Sequence, residues 1–350
     1  MDEQAALLAL VRVDGLGSLR IHKLIAHFGS AYAVLNAGYA ALVQTGLAAH
    51  IATAITQAAS HDHQALWQDI HERGMQVLAY DDPRYPVLLS HIPNPPIILF
   101  VRGSLAAFTS PSVALVGTRR PSSYGIDITR RIATDLASQA CTIVSGLAIG
   151  IDAVAHESAL HAHGHTIAVL PSGVDLIYPE RNRALAERML ATPGNALVSE
   201  FFPGTKATPL LFPARNRLIS GLAHGVVVCE AGAQSGALIT VKAALEQGRD
   251  VMAVPGSVFA PQSAGCLELL RQGATPVRHA RDICDTLGFT TVTTPATSHD
   301  ALLQLLSTPR HIDELCRHLD LSSAELLGDL LMRELRGEVR ELGNGFYARC

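Results

Sequence analysis

The chain has 350 residues, 27 Lys and Arg against 31 Asp and Glu, a formal net charge of −4 and 48% hydrophobic residues. That length gives room for two or three domains around a large core, and no apolar run approaches the ~18 residues that a membrane-spanning helix needs. The acidic balance excludes a basic coat over the whole surface, so any nucleic-acid contact must use a local patch such as Arg119-Arg120, Arg130-Arg131, Arg181/Arg183 or Arg215/Arg217.

In chain order, residues 1–65 read as helical. Val13 to Ser30 has the form of a helix-hairpin-helix, with Gly15-Leu16-Gly17 as the tight turn and Leu19, Lys23, Leu24 and Phe28 on the second helix. A weaker echo follows at Leu42 to Ile55. Such hairpins can offer N–H groups to DNA phosphates, or can simply pack. A helix over His61 to Arg73 and a strand over Met75 to Ala79 come next. Rigid Pro-rich turns then lead to a strand over Ile97 to Val101.

The central stretch carries the strongest pattern. The apolar run Val113 to Val116 stops at Gly117, and Thr142 to Val144 stops at Ser145-Gly146. Between them Ile128, Ile132, Ala133, Leu136 and Ala140 keep a helical spacing. This is a strand–helix–strand unit whose strands each run into a loop of small residues before a helix. Backbone N–H groups and helix N-termini in such loops can meet an anion. Arg119 adds a guanidinium fork suited to phosphate oxygens. A dinucleotide G-x-G-x-x-G does not fit, because Arg119 and Ser122 stand where Gly is required. Further strands at Thr166 to Leu170, Ala196 to Ser199, Gly225 to Cys229 and Val251 to Val254 alternate with helices. The alternation predicts an α/β, Rossmann-like, doubly wound and mainly parallel sheet, with its crevice outside the carboxyl ends of the strands.

Thr290 to His299, rich in Thr, Pro and Ser, reads as a linker. Beyond it, Ala301 to Leu306, Ile312 to His318 and Ser323 to Leu335 read as three helices, with Ser322 able to cap the third. Glu338 to Tyr347 reads as a hairpin turned at Gly343-Asn344-Gly345. Three helices and a wing suggest a winged-helix-like domain, net acidic and therefore a poor grip for a duplex. The expected division is a helical SAM/helix-hairpin-helix-like domain at 1–65, a Rossmann-like core at 66–289, a linker at 290–299 and the winged-helix-like domain at 300–350. Six scattered cysteines without a C-x-x-C pair and an N-terminus lacking signal-peptide features predict a reducing, cytoplasmic setting. His161, His163 and His165 straddle a helix end without a third ligand type, so neither metal nor cofactor is expected.

Taken together the motifs resemble the DNA-processing protein A family, also called DprA or Smf. The resemblance runs from about Tyr80 to Ala274. It includes Tyr85-Pro86, Val116 to Arg119, Ser145 to Asp152 with His156, Tyr178-Pro179, Ser199-Glu200, Phe212 to Arg217, Ser235 to Thr240, Val254 to Gly256 and Gly273-Ala274. One departure is Leu267, where many members have Asn. The resemblance implies a non-enzymatic protein that binds single-stranded DNA and loads the recombinase RecA onto it during natural transformation, against single-strand-binding protein, and that forms a homodimer through the Rossmann-like domain. The phosphate-binding set expected on this sequence is Gly117, Thr118, Arg119, Ser122, Ser145, Gly146, Ala148, Gly150, Lys206, Arg215, Asn216, Arg217, Ser235 and Gly236, with Asp152 and His156 bracing the site from within. Few aromatics are available to stack on bases, so phosphate contacts are expected to dominate. Two other classes stay open: a nucleotide-cleaving enzyme using Glu200, Glu230 or Asp152 as acid or base, and a regulator that reads duplex DNA through the winged helix.

Overall fold

The computed structural model describes residues 3–59, 63–289, 301–306, 308–319, 321–335 and 337–349. The chain divides near residue 291 into two compact units, each considered by itself; the expected linker at 290–299 lies outside the described residues.

The first unit is built on nine strands: β1 (Gln76–Ala79), β2 (Ile98–Gly103), β3 (Ser112–Gly117), β4 (Thr142–Ser145), β5 (Thr166–Val169), β6 (Ala196–Ser199), β7 (Gly225–Glu230), β8 (Asp250–Ala253) and β9 (Thr275–Pro276). They lie in the order β1-β2-β6-β5-β4-β3-β7-β8-β9. From β6 to β9 every pairing is parallel, while β1–β2 and β2–β6 are antiparallel. The sheet is therefore doubly wound and mainly parallel, as the alternation of elements predicted, with an antiparallel edge. The chain leaves β3 toward β4, β5 and β6, then returns to the other flank of β3 with β7, β8 and β9. The winding reverses between β3 and β7, which is where an open α/β sheet forms its crevice.

Helices cover both faces, which is why the central strands are continuously apolar rather than alternating. On β3, Val113 and Leu115 pack with Ile132, Leu136, Ile151 and Ala155 on one side of the sheet. Ala114 and Val116 face the other side, with Leu218, Ile219, Val241 and Leu269. The antiparallel edge takes a different cover. Leu8, Leu10, Ile21, Leu35 and Ile55 of the N-terminal helices form one core with Val77, Ile98 and Phe100 of β1 and β2. Those helices include Glu3–Val11 and Ser18–Phe28, joined by the Gly-containing turn, and Ala49–Ala58.

The second unit has helices Ala301–Leu305, Ile312–Leu319 and Ser323–Leu335 and a small sheet of β10 (Arg310–His311), β11 (Val339–Gly343) and β12 (Phe346–Arg349) in the order β10-β12-β11. Leu302, Leu306, Leu315, Leu326, Leu330, Val339 and Tyr347 form its core. Ser322 and Glu325 cap the third helix reciprocally: Ser322 Oγ accepts from Glu325 N–H at 3.4 Å, and Glu325 Oε2 accepts from Ser322 N–H at 3.1 Å, a capping box. Asn344 and Gly345 turn the wing hairpin with φ of 52° and 75°, the left-handed pair that a tight hairpin requires. The edge strand β10 was not anticipated, because two residues carry no periodic signal.

Phe100 is fully buried where the N-terminal helices meet the sheet. Phe100→Ala should cost about 3–5 kcal/mol, read as a lower urea midpoint at unchanged slope. Truncation before residue 66 uncovers the same face and should give a protein that binds more of a hydrophobic dye such as ANS than the full chain does.

Candidate nucleic-acid interface

A crevice of about 800 Å³ opens outside the carboxyl ends of β3 and β7. Its walls are the Gly117–Arg120 loop, Ala148 and Asp152 beyond β4, Tyr178, the first turns of the helix Leu211–Gly221, and Gly232 to Gly236 leading into the helix Ala237–Glu246.

The loops after β3 and β4 touch each other directly. Gly150 sits at φ 92°, and a Cβ there would come within 2.4 Å of the Thr118 carbonyl oxygen, so only glycine allows this approach. Ile151 N–H donates to that same carbonyl at 3.2 Å. Behind them is a buried polar frame. Asp152 Oδ2 accepts from Gly146 N–H at 3.1 Å and from Ala148 N–H at 3.3 Å. Burial pushes the Asp152 carboxyl up, opposed by the charge of Arg215 and by these N–H donors. Arg215 is itself buried, with 3% of its surface exposed. It donates to the Gly146 carbonyl at 2.6 Å and to the Val169 carbonyl, and its Nε to Asn216 Oδ1 at 3.1 Å. Burial lowers it to about 10, so it stays a cation at neutral pH.

Leu147 between them adopts φ 56°, a conformation costly for a side chain with a Cβ. Both its backbone groups are held: N–H by His156 Nε2 at 3.3 Å and C=O by Asn182 Nδ2 at 2.8 Å. The Thr166 hydroxyl donates to the Ile143 carbonyl at 2.8 Å and so must accept from His156 Nδ1 at 2.7 Å. The proton of the neutral ring therefore lies on Nδ1 and the lone pair on Nε2 faces Leu147. Burial, with the nearby Arg215 charge, lowers His156 to about 3.

The helix Ser123–Ser138 begins at the crevice, and its N-terminus is already occupied. Buried Glu230, at the end of β7, accepts from Ser122 N–H at 2.8 Å and Ser122 Oγ at 2.5 Å. A Cβ on Gly125 would come within 2.4 Å of its Oε2, so the carboxylate lies against the first turn where a doubly wound sheet otherwise receives a phosphate. Glu200, the third candidate acid, is paired with Arg217. Burial pushes its carboxyl up and that pairing opposes the shift.

The sequence-derived set thus splits. Gly117, Thr118, Arg119, Ala148, Arg215, Asn216, Ser235 and Gly236 line the crevice, Arg215 as part of its floor. Ser122 caps its helix with Oγ accepting from Gly125 N–H at 3.1 Å, and Ser145 Oγ is buried on the Leu115 carbonyl at 2.6 Å. The expectation that the Ser145-Gly146 loop offers free N–H donors needs correcting, since Asp152 takes those of Gly146 and Ala148. Arg215 and Arg217 do not extend a positive track either. The first is consumed beneath the loop by carbonyls; the second turns to Glu200 and the Asn94 carbonyl. Lys206 is exposed but does not line the crevice.

Arg119 and Arg120 are exposed and have no ion-pair partner among the described residues. The Arg119 guanidinium lies 5.1 Å from the centre of the Phe212 ring, and Tyr178 meets Phe212 edge-on at 5.7 Å. Both rings belong to motifs that carry the family resemblance, but neither was assigned to the binding set. The signal was available: Phe212, Arg215, Asn216 and Ile219 fall at i, i+3, i+4 and i+7, one face of a helix, and all four line the crevice.

Comparison with known proteins agrees with this layout. Residues 76–288 match the model of the DNA recombination-mediator protein A family, and residues 280–345 that of the DprA winged helix domain. The chain is 40% identical over 292 residues to Protein Smf of Synechocystis, covering 82% of this chain and 73% of that one. The X-ray structure of DNA processing protein A from Streptococcus pneumoniae superposes with a TM-score of 0.67 at 33% identity, covering 80% of this chain and 97% of that one. A Helicobacter pylori DNA processing protein A, whose structure is described as giving insight into its single-stranded DNA binding mode, superposes at 0.54 and 30% identity, covering 61% and 95%.

The buried neutral His156 makes the frame pH-sensitive. Its folded-state value lies far below the ordinary 6.5, so below pH 6.5 the unfolded chain binds a proton that the folded chain refuses. Stability is full above that pH and falls as pH drops toward 3, by about 2 kcal/mol at pH 5. Urea unfolding of the wild type and His156→Gln at pH 7.5 and 5 should show a smaller loss for the variant.

Proposed function

The chain belongs to the DNA recombination-mediator protein A family, and from that premise we propose that the crevice binds single-stranded DNA for delivery to the recombinase RecA during uptake of transforming DNA. The observation that carries this reading is the group of Arg119, Phe212 and Tyr178: an unpaired guanidinium and two rings at one open rim. A guanidinium without a carboxylate partner is free for a phosphate, and ring faces stack on bases only when the bases are unpaired. The H. pylori relative's description supports single-stranded DNA as the ligand.

Several features support a binding protein over an enzyme. Asp152, Glu230 and Glu200, the candidate acids, are each committed to internal donors. Leu245, exposed on the helix Ala237–Glu246 and not part of the crevice lining, is an apolar position open to a second copy of the chain. In the second unit, Leu327, Leu331 and Met332 are exposed on the helix Ser323–Leu335, whose Arg333 pairs with Asp329 and Glu338. An apolar, acid-flanked helix suits protein contact better than a DNA groove.

A salt titration on two unrelated single-stranded oligonucleotides tests the reading. Arg119→Ala should weaken both alike and shallow the log–log salt slope by about 0.7. Phe212→Ala should cost about 1–3 kcal/mol with the slope unchanged. If Arg119→Ala leaves affinity and slope as in the wild type, the crevice is not the binding site.

A further inference from the structure

Across the Arg119-Arg120 loop from Phe212 and Tyr178, a second set of apolar side chains stands on the same edge of the sheet. β8 neighbours β7, and its carboxyl end runs into the loop 254–260. Phe259, 92% exposed, is the barest large apolar side chain among the described residues, and adjacent Val258 is 74% exposed. The loop is well tied. Ser257 Oγ accepts from Phe259 N–H at 3.2 Å and the Ser257 carbonyl from Ala260 N–H at 3.1 Å. One bond ties it toward the crevice: the hydroxyl of Tyr124, on the helix that follows the Arg119-Arg120 loop, donates to the Pro255 carbonyl at 2.7 Å. Tyr124 lies in the first turn of the helix that follows Arg119 to Ser122 and is itself 49% exposed.

We propose that Phe259, with Tyr124 at the base of its loop, is a second nucleobase-stacking subsite, resting on the single-stranded DNA reading of the crevice. Size favours a base over a protein. A Phe side chain buries about 150–250 Å² where a stable protein interface needs about 800 Å² per partner. No charge lies on residues 254–263, so the loop offers a ring face and little else, which every base can use. Continuity with the crevice supplies the rest: a strand whose phosphates sit on Arg119 and Arg120 has rings on either side of it. On this reading the path follows the carboxyl edge from the Phe212 helix past β3 and β7 to the loop after β8.

The test measures the full chain against oligothymidylates of about four and about sixteen nucleotides, the span of single-strand site sizes. Phe259→Ala should weaken the long oligonucleotide about tenfold, leave the short one unchanged and keep the wild-type salt slope. Phe259→Trp should show fluorescence quenching with the long oligonucleotide beyond any change seen in the wild type. Arg119→Ala should weaken both lengths. Equal affinity of Phe259→Ala and wild type for the long strand overturns the subsite while Arg119→Ala still reports on the crevice. A change in sedimentation of Phe259→Ala with DNA affinity intact assigns the loop to a second copy of the chain, which also overturns it. If Arg119→Ala is silent on both lengths, the crevice reading falls first.

Discussion

Gly146 is gripped from two sides, its N–H by the buried carboxylate of Asp152 and its C=O by the buried guanidinium of Arg215. One anion and one cation, both withdrawn from water, fix a single loop residue at the crevice. Isolated, either charge would be costly to bury; paired through backbone dipoles, each satisfies what the other leaves open. Around this clamp the neighbouring constraints fall into place. Leu147 is held left-handed by His156 and Asn182, Ala148 N–H is drawn to Asp152, and Gly150 lies against Thr118. The crevice wall is held by bonds within the chain itself, so ligand binding need not supply them.

The charge distribution follows the same economy. Many arginines on this acidic chain have a nearby carboxylate: Arg130 with Asp127, Arg183 with Glu180, Arg188 with Glu157, Arg271 with Glu268, Arg278 with Asp282. Exposed pairs of this kind add little stability, but they cancel local positive potential. Arg119 and Arg120 have no such partner among the described residues. A net charge of −4 therefore coexists with exposed arginines that pair with no carboxylate among the described residues, Arg131 and Arg181 elsewhere and Arg119 and Arg120 beside the crevice.

Much of the fold was legible because buried parallel strands are written as short apolar runs ending in small residues. Val113 to Val116 and Ala196 to Ser199 needed no tertiary information. The loop glycines and Arg119 were legible for the same reason, since the strand ends gave their place. Arg215 and Arg217 were misread because an arginine in a first turn looks the same whether it points at solvent or beneath a loop. Helical geometry held a warning: two residues apart means about 200° around the axis, so both could not face one crevice. The core shared by the N-terminal helices and Phe100 had no local signature, because periodicity shows that a helix face is apolar and not what will cover it. Glu230 stood out as a candidate acid, but its partner could not be read for a similar reason: it lies more than a hundred residues from the helix it caps.

That carboxylate has a consequence for life inside a cell full of free nucleotides. A sheet wound in this way offers its best phosphate seat to any nucleotide that diffuses past. Here the seat is taken by a group that is part of the chain and never leaves. A small phosphate ester cannot use the start of that helix, whose Ser122 N–H and hydroxyl are already given to Glu230. A long strand adds contact to contact along its length and needs no single strong seat. On the proposed reading of the crevice, this arrangement favours a polymer over a monomer.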